Sequence, residues 1–267
     1  MILATFDAHF SKLITAHIVA WYHTFFEGLP QVAWKQNQEE VYTEWEVDFL
    51  QDVLELTPES KVLDIMAGYG RHALPLARRG FHLTGVDISD EYCREMEAEA
   101  KSDQLPVVVM QGDFVEVSLG DEKFDAAYCL GNSFCFFSRE VMMQFLHKVA
   151  DHLQPGGHFV AHTHLLAESI LPHFQERNWM PVGEDILYIA QNEYDAMEGV
   201  INADLTYVRG GEQVTRQIKQ YVFTLSDMKH MFAQAGLTLT EVFSSLDGEP
   251  FALGDEQAYL LGVKGEL

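Results

Sequence analysis

Cationic side chains are scarce in this sequence of 267 residues, where 17 Lys and Arg stand against 41 Asp and Glu. The formal charge of −24 makes a surface that repels phosphate backbones and anionic lipid headgroups. We therefore expect neither nucleic acid nor a membrane as a partner, and we expect the ligand to be a small molecule.

Cysteine is also rare, with three residues and no C-x-x-C pair, so neither a zinc knuckle nor a redox centre is indicated. Reduced thiols of this kind are typical of a cytoplasmic protein, and no metal site is predicted. The apolar N-terminal stretch is interrupted by Asp7 and Lys12, which leaves no apolar run of membrane length. It also lacks the basic start and cleavage site of a signal peptide.

What the chain does have is a regular alternation of apolar strands and amphipathic helices from Val62 to Thr163. Such alternation predicts an α/β fold, a Rossmann-like sheet of seven mostly parallel strands with helices on both faces. We divide the chain into four parts: a helical cap (1–57), an α/β core (58–165), an antiparallel β-meander insert over the active site (166–224), and a final helix with two strands completing the core sheet (225–267).

The cap pattern predicts one or two helices over residues 3–26, a break at Leu29-Pro30, and a loop from Trp34 to Asn37. A longer helix follows up to Thr57, with Trp45 expected in its apolar face. Tyr42, one turn earlier on that helix, is a candidate lid residue over a ligand.

The insert reads as three long strands separated by Met197-Glu198-Gly199 and by Gly210-Gly211. Its uncovered strand edges also suggest a homo-oligomer. Beyond the insert, Ser226 is the expected N-cap and Gly236 the expected end of the last helix. The two strands after that helix would place one antiparallel strand on the otherwise parallel sheet.

A glycine turn follows the first core strand, and Gly68 to Ala73 satisfies the dinucleotide-binding pattern G-x-G-x-x-A. Asp87 lies 19 residues after Gly68, where an acid can bind ribose hydroxyls. These features suit either NAD or S-adenosylmethionine. Asp64, at the end of the first strand, favours S-adenosylmethionine, because a carboxylate repels a diphosphate and attracts an ammonium and a sulfonium.

With these motifs in place, the chain from Glu44 to Lys264 resembles the class I S-adenosylmethionine-dependent methyltransferases. Five motifs carry the resemblance in the right order: VLDIMAGYGRH, GVDIS, QGDF, FDAAYCLGNSF and LQPGGHFV. It is most similar to a bacterial small-molecule branch with the GYGRH sequence. Met66 replaces the first glycine often found in the family, and we expect it to need only an ordinary strand-end backbone.

The resemblance implies cofactor-binding roles along these motifs. Asp64, Ala67, Gly68, Gly70 and Arg71 would line the methionine and ribose part. Asp87 would hold the ribose, with Ile88 against adenine. Asp113 would accept from the adenine amino group beside Phe114, and Leu130 and Gly131 would lie beneath the sulfonium.

The acceptor side is less clearly marked. His162 and His164 alternate onto one side of the fifth strand end and could take a proton, and Asn132 could orient a polar group, so these three are the catalytic candidates. Each has an ordinary structural alternative. The candidate substrate contacts are Phe134, Phe137, Arg216, Tyr221 and Tyr42.

We therefore expect a methyltransferase that uses S-adenosylmethionine to methylate a nitrogen or oxygen of a small molecule. Two alternatives stay open at the level of sequence. The first is an NAD-type oxidoreductase, because the glycine pattern suits both cofactors. The second is a non-catalytic module that binds S-adenosylmethionine, because methyl transfer has no obligatory nucleophile in the enzyme.

Overall fold

The computed structural model describes residues 20–266, within which eight helices and eleven strands are formed. The helices are α1 Tyr22–Phe25, α2 Leu29–Gln36, α3 Glu40–Val53, α4 Ala73–Arg78, α5 Asp90–Ser102, α6 Arg139–His152, α7 Ala167–Ile170 and α8 Leu225–Gln234. The strands are β1 Lys61–Ile65, β2 His82–Asp87, β3 Val107–Gln111, β4 Phe124–Cys129, β5 Leu153–Thr163, β6 Arg177–Val182, β7 Ile186–Asp195, β8 Val200–Arg209, β9 Glu212–Tyr221, β10 Leu237–Phe243 and β11 Ala258–Lys264. Most of the predicted helix over residues 3–26 lies outside the described residues.

The core is a seven-stranded sheet in the order β10-β11-β5-β4-β1-β2-β3. Strands β1 to β5 run parallel, and β11 pairs antiparallel with both β5 and β10. Apolar side chains fill both faces of this sheet, as expected where helices cover both sides. The predicted fold class, including its one antiparallel strand, is confirmed. All five parallel strands end at the same edge, so the segments after β1, β2, β3 and β4 meet there.

The helical cap differs from the sequence prediction in two places. The loop predicted from Trp34 is wrong, because Leu29–Gln36 forms helix α2 with Pro30 in its first turn. Proline is tolerated there because the backbone N–H groups of the first turn have no partner within the helix. The expected burial of Trp45 is wrong as well, since its exposed fraction is 57%. Helix α3 instead turns Glu46, Val47 and Leu50 inward.

The insert is a separate four-stranded antiparallel sheet in the order β6-β7-β8-β9. The sequence predicted three of these strands and missed β6, whose RNWMPV sequence has no alternation and contains a proline, which edge strands tolerate. The apolar face of the sheet packs against the cap residues Phe25, Leu29 and Ala33. The end of β9 returns to the core, where the Tyr221 N–H donates to the Cys135 carbonyl at 3.2 Å.

The final helix α8 begins two residues earlier than expected. Its N-cap is Thr224, which forms a reciprocal capping box with Asp227, so the assignment to Ser226 is wrong. The chain leaves the helix at Gly236 with φ of +86°, as predicted. Within residues 20–266, no helix combines the length and apolar composition needed to cross a membrane.

Candidate functional site

The turn after β1 has three residues in the left-handed region, namely Met66 (φ +62°), Gly68 (φ +59°) and Gly70 (φ +86°). We expected an ordinary backbone at Met66, and this is wrong. With this backbone at Met66, the Ala67 N–H donates to the Val86 carbonyl at 3.0 Å, which ties the start of the turn to β2. A side chain in this region costs about 1–2 kcal/mol, which is a physical reason for the glycine often found there in the family that the chain resembles.

Two adjoining cavities open at the carboxyl edge of the sheet, beside this turn. We call them the first cavity, which contains Asp87 and Asp113, and the second cavity, which contains Asp64 and Arg71. Both are lined by Trp34, Met66, Gly68, Tyr92 and Ser133. The two cavities therefore form one continuous cleft across the ends of β1, β2 and β4.

The structure brings ten of the eleven expected cofactor-binding residues to this cleft. Four line the first cavity, Asp87, Ile88, Asp113 and Phe114, five line the second, Asp64, Ala67, Arg71, Leu130 and Gly131, and Gly68 lines both. Gly70 is the exception. A Cβ at Gly70 would lie 2.7 Å from Met96 Cγ, so this glycine permits the close packing of α5 against the turn.

Asp87 is held by backbone donors on both oxygens. The Gly68 N–H donates to Oδ2 and the Ser89 N–H donates to Oδ1, each at 2.8 Å. Burial raises the pKa of Asp87, and these hydrogen bonds oppose the shift. The carboxylate is thus fixed at the mouth of the first cavity with lone pairs left for a diol.

Asp64 is the acidic residue that lines the second cavity, and it lacks a full set of hydrogen-bond partners. Only 2% of this residue is exposed, and its Oδ2 makes no hydrogen bond within the described part of the chain. Burial raises its pKa to about 7, Asp87 adds to the rise, and Tyr128 and Arg71 oppose it. A buried and unpaired acidic oxygen fits the ammonium group of S-adenosylmethionine, since a cation there would satisfy it.

Sequence reasoning missed the partner of the glycine turn, which is Glu46 on α3. Arg71 Nη1 donates to Glu46 Oε2, and His72 Nε2 lies 3.0 Å from the same oxygen. Although burial alone would raise it, the pKa of Glu46 is lowered to about 2 by the hydrogen bond with His72 and by Arg71. Adjacent Arg and His in the GYGRH sequence signalled a need for an acid, but no spacing rule selects Glu46.

The histidines proposed from sequence lie beside the cleft and do not line either cavity. His162 is buried, stacks on Tyr259 and has its Nε2 3.1 Å from Gln257 Oε1. Burial, with a smaller effect of His164, lowers the pKa of His162 to about 3. His164 is exposed, with Nδ1 3.0 Å from the Glu256 carbonyl.

Asn132 joins the ends of β4 and β5. Its Oδ1 accepts from the His164 N–H at 2.8 Å and from the Thr163 hydroxyl at 3.3 Å. It also has a left-handed backbone, with φ of +64°. These contacts fix the loop that carries Gly131 and Ser133 to the cleft.

The aromatic loop after β4 sends a different side chain to the cleft from those we expected. Phe134 and Phe137 have exposed fractions of 0% and 1%, because they pack in the core against Phe145. Phe136 lines the first cavity instead. The sequence could not distinguish Phe134, Phe136 and Phe137, because a tight turn has no regular repeat that assigns each side chain to the core or to the cleft.

The remaining substrate candidates lie outside the cleft lining. The Tyr42 hydroxyl is 3.1 Å from the Tyr259 hydroxyl. Arg216 is on β9, with Nη1 3.5 Å from the Thr215 carbonyl. Tyr221 reaches the loop after β4 through its backbone and packs against the core.

Part of the chain matches a known family of protein domains. Residues 62–157 match a family of methyltransferase domains. YqeM of Bacillus subtilis, provisionally named a methyltransferase, is 27% identical over 74% of this chain and 81% of its own length.

Two solved structures share the fold. CcbJ methyltransferase from Streptomyces caelestis superposes with a TM-score of 0.77 at 18% identity, covering 92% of this chain and 99% of that one. The sugar N-methyltransferase KedS8 from Streptoalloteichus superposes with a TM-score of 0.67 at 18% identity, covering 90% and 94%.

These matches favour a methyl donor over NAD for the cleft described above. The matched segment contains β1 to β4, the glycine turn, and the three acids Asp64, Asp87 and Asp113. The chain therefore carries a methyltransferase domain with the class I fold, and it is an S-adenosylmethionine-dependent methyltransferase.

Proposed function

We propose that this enzyme methylates an amine nitrogen of a small molecule. The observation that carries the proposal is the makeup of the cleft, where Trp34 and Ser133 line both cavities and Phe136 lines the first. Among the described lining residues, the one histidine is His72, and its Nε2 is engaged by Glu46. The lining carboxylates Asp64, Asp87 and Asp113 are assigned to the cofactor in this proposal, so a nucleophile that needs a general base finds no unassigned one there, whereas a neutral amine needs no base to attack.

When bound, S-adenosylmethionine supplies an electrophilic methyl group whose sulfur leaves as a neutral thioether. An acceptor amine held in line would take this methyl group with its lone pair as the C–S bond breaks, and its proton would then pass to water. The chain's own contribution is alignment and exclusion of water. Asp64 and Asp87 would hold the two ends of the cofactor's methionine and ribose part, while Trp34 and Phe136 would shield the acceptor side.

Charge and fold likeness support an amine acceptor. A net charge of −24 raises the local concentration of cationic amines and disfavours nucleic acid. KedS8, whose fold is similar along 90% of this chain, is a sugar N-methyltransferase. An amine on a sugar or a similarly polar scaffold is therefore the acceptor class we would test first.

Five further expectations from the sequence remain predictions. They are membership of the GYGRH branch, the four-part division of the chain, placement of the insert over the active site, a cytoplasmic location and a homo-oligomer. The packing of the insert on α1 and α2, whose residues also line the cleft, supports its placement near the acceptor.

The test uses S-adenosylmethionine with a labelled methyl group and matched acceptor pairs. Each amino sugar of a panel is paired with the sugar that carries a hydroxyl at the same carbon, and amino acids and peptide N-termini are included. We expect label in at least one amine and in none of the hydroxyl partners, with a rate that rises with pH as the amine loses its proton. Label in a hydroxyl partner, or in no amine, would contradict the proposal. Asp87→Ala serves as the variant deficient in cofactor binding.

A further inference from the structure

Trp34 lines both cavities, although no motif in the sequence predicts this position. It is carried by α2. Its Cζ2 atom lies 3.4 Å from the position that a Cβ on Gly131 would take. Gly131 has φ of +77°, so the loop after β4 approaches the indole closely at a residue that has no side chain.

The helix that carries Trp34 is anchored to the core on both sides of the indole. The Tyr92 hydroxyl donates to the Gln31 carbonyl at 3.0 Å, and Lys35 Nζ lies 4.4 Å from the centre of the Tyr69 ring. Phe26 packs edge-on against the indole with a centroid separation of 6.1 Å. The indole is therefore a fixed wall of the cleft and not a surface side chain that happens to lie near it.

This wall closes a space that is otherwise suited to a cation. Asp64 provides the buried acidic oxygen of the second cavity, and the face of a tryptophan attracts cations more strongly than that of any other side chain. The family resemblance places the sulfonium above Leu130 and Gly131, and Trp34 lies against Gly131 from the cap side. A positive sulfur in the second cavity, whose lining includes both Trp34 and Gly131, would lie beside the indole.

We propose that Trp34 is the cap's binding contact for the sulfonium, and that it distinguishes the charged cofactor from its neutral demethylated product. S-adenosylmethionine and S-adenosylhomocysteine share the ammonium, ribose and adenine groups, so Asp64, Asp87 and Asp113 bind both. These acids bind groups that both ligands carry, whereas the interaction with Trp34 depends on the positive charge that is lost when the methyl group leaves. The indole thereby favours donor binding and product release. This inference depends on the cofactor and not on the acceptor proposed above.

The first test compares the affinities of S-adenosylmethionine and S-adenosylhomocysteine by calorimetry. In Trp34→Leu we expect binding of S-adenosylmethionine to weaken by about 2- to 30-fold, the range of a cation–π contact. Binding of S-adenosylhomocysteine should stay within about twofold of wild type, since its sulfur is neutral. Trp34→Phe keeps an aromatic face and should retain part of the difference. Trp45→Leu is the matched control, because Trp45 is exposed on α3 and lines neither cavity.

A second readout is tryptophan fluorescence, which is practicable because the chain has four tryptophans, Trp21, Trp34, Trp45 and Trp179. We expect S-adenosylmethionine to quench the wild type and Trp45→Phe, and we expect the quenching to be lost in Trp34→Phe. Circular dichroism and melting temperature verify that each variant is folded. If Trp34→Leu fails to fold, the phenylalanine variant carries both readouts.

Two results would overturn the inference. If Trp34→Leu binds S-adenosylmethionine and S-adenosylhomocysteine with equally reduced affinity, Trp34 only packs the cap. If its affinity for both is unchanged, Trp34 does not contact them. A wild-type protein that binds neither ligand would instead refute the cofactor itself. A wild type that shows the Trp34 effect but methylates no amine would refute only the proposed acceptor.

Discussion

Alanine at Gly70 should destabilise the protein, whereas alanine at Gly68 should mainly weaken cofactor binding. The glycine pattern assigns both residues to the cofactor, but their surroundings differ. A Cβ at Gly70 would lie 2.7 Å from Met96 Cγ, 3.0 Å from Met96 Sδ and 3.1 Å from Leu74 Cδ1. A Cβ at Gly68 would have no neighbour nearer than Tyr92 Cδ2 at 3.9 Å, and it would point toward open space in the cleft.

The magnitude follows from a comparison with Gly80, which has φ of +97° and no atom within 4 Å of its added Cβ. Gly70→Ala and Gly80→Ala both place alanine in the left-handed region, at about 1–2 kcal/mol. The two substitutions also lower the conformational entropy of the unfolded chain by the same amount. The difference between them isolates the steric overlap at Gly70, which should be about 1–3 kcal/mol. At roughly 2–4 °C per kcal/mol, Gly70→Ala should melt about 2–12 °C below Gly80→Ala.

The assay combines thermal melting with calorimetric titration of S-adenosylmethionine. Gly68→Ala should melt close to Gly80→Ala but bind about 5- to 150-fold more weakly, if the added methyl overlaps the ligand by about 1–3 kcal/mol. Folded Gly70→Ala should keep an affinity near that of Gly80→Ala. Equal melting temperatures for Gly70→Ala and Gly80→Ala would refute the packing role. A folded Gly70→Ala that binds as weakly as Gly68→Ala would return Gly70 to the cofactor cradle.

Two further predictions concern buried acids. Glu46→Gln should lower the free energy of unfolding at pH 7 by about 3–5 kcal/mol, because buried Arg71 loses its charge partner. The pKa of Glu46 is lowered to about 2 in the fold, so this stabilisation is complete above the unfolded pKa and is lost as pH falls toward 2. Urea unfolding from pH 3 to 7 should therefore show the stabilities of wild type and Glu46→Gln converging at low pH. The surface variant Asp90→Asn is the control, and its stability should change by less than about 1 kcal/mol. Asp64 has its pKa raised to about 7 by burial, so S-adenosylhomocysteine affinity should rise about tenfold per pH unit up to pH 7 and then level off. Asp64→Asn should bind weakly with a flat profile in calorimetry from pH 5.5 to 8, and a flat wild-type profile would argue against the ammonium contact.

The sheet and its order of helices were predictable because local signals and tertiary packing agree there. The strand ending in Asp87 is apolar, is bounded by turns, and lies in a regular α/β alternation, so its sequence has one reasonable interpretation. Asp87 could then be placed beside the glycine turn from its distance along the chain, and its side chain does accept from the Gly68 N–H. Elements whose local and tertiary signals conflict were predicted less well, and β6, with Pro181 near its end, is the example.

The acceptor side of the cleft was much less predictable, for a physical reason. Trp34 reaches the cleft only because α2 docks on the core through Tyr92 and Tyr69, and these contacts join residues far apart in the chain. Phe136 is selected over Phe134 by the direction of a short turn, which carries no periodic signal. Glu46 is likewise identified only when the fold brings α3 against the glycine turn.

Asp113 links the cap to the cofactor site in the same manner. The Tyr22 hydroxyl donates to Oδ2 at 3.2 Å, His23 Nε2 lies 3.2 Å from the same oxygen, and the Val115 N–H donates to Oδ1 at 2.9 Å. A carboxylate offers about four acceptor sites, so a further donor, such as the adenine amino group that the resemblance implies, can bind only in the direction that these three leave free. Two side chains of the cap thus orient Asp113, the acid for which the resemblance implies adenine recognition. The cap therefore helps to build the cavity that contains Asp113, although it lies outside the segment that matches the methyltransferase domain.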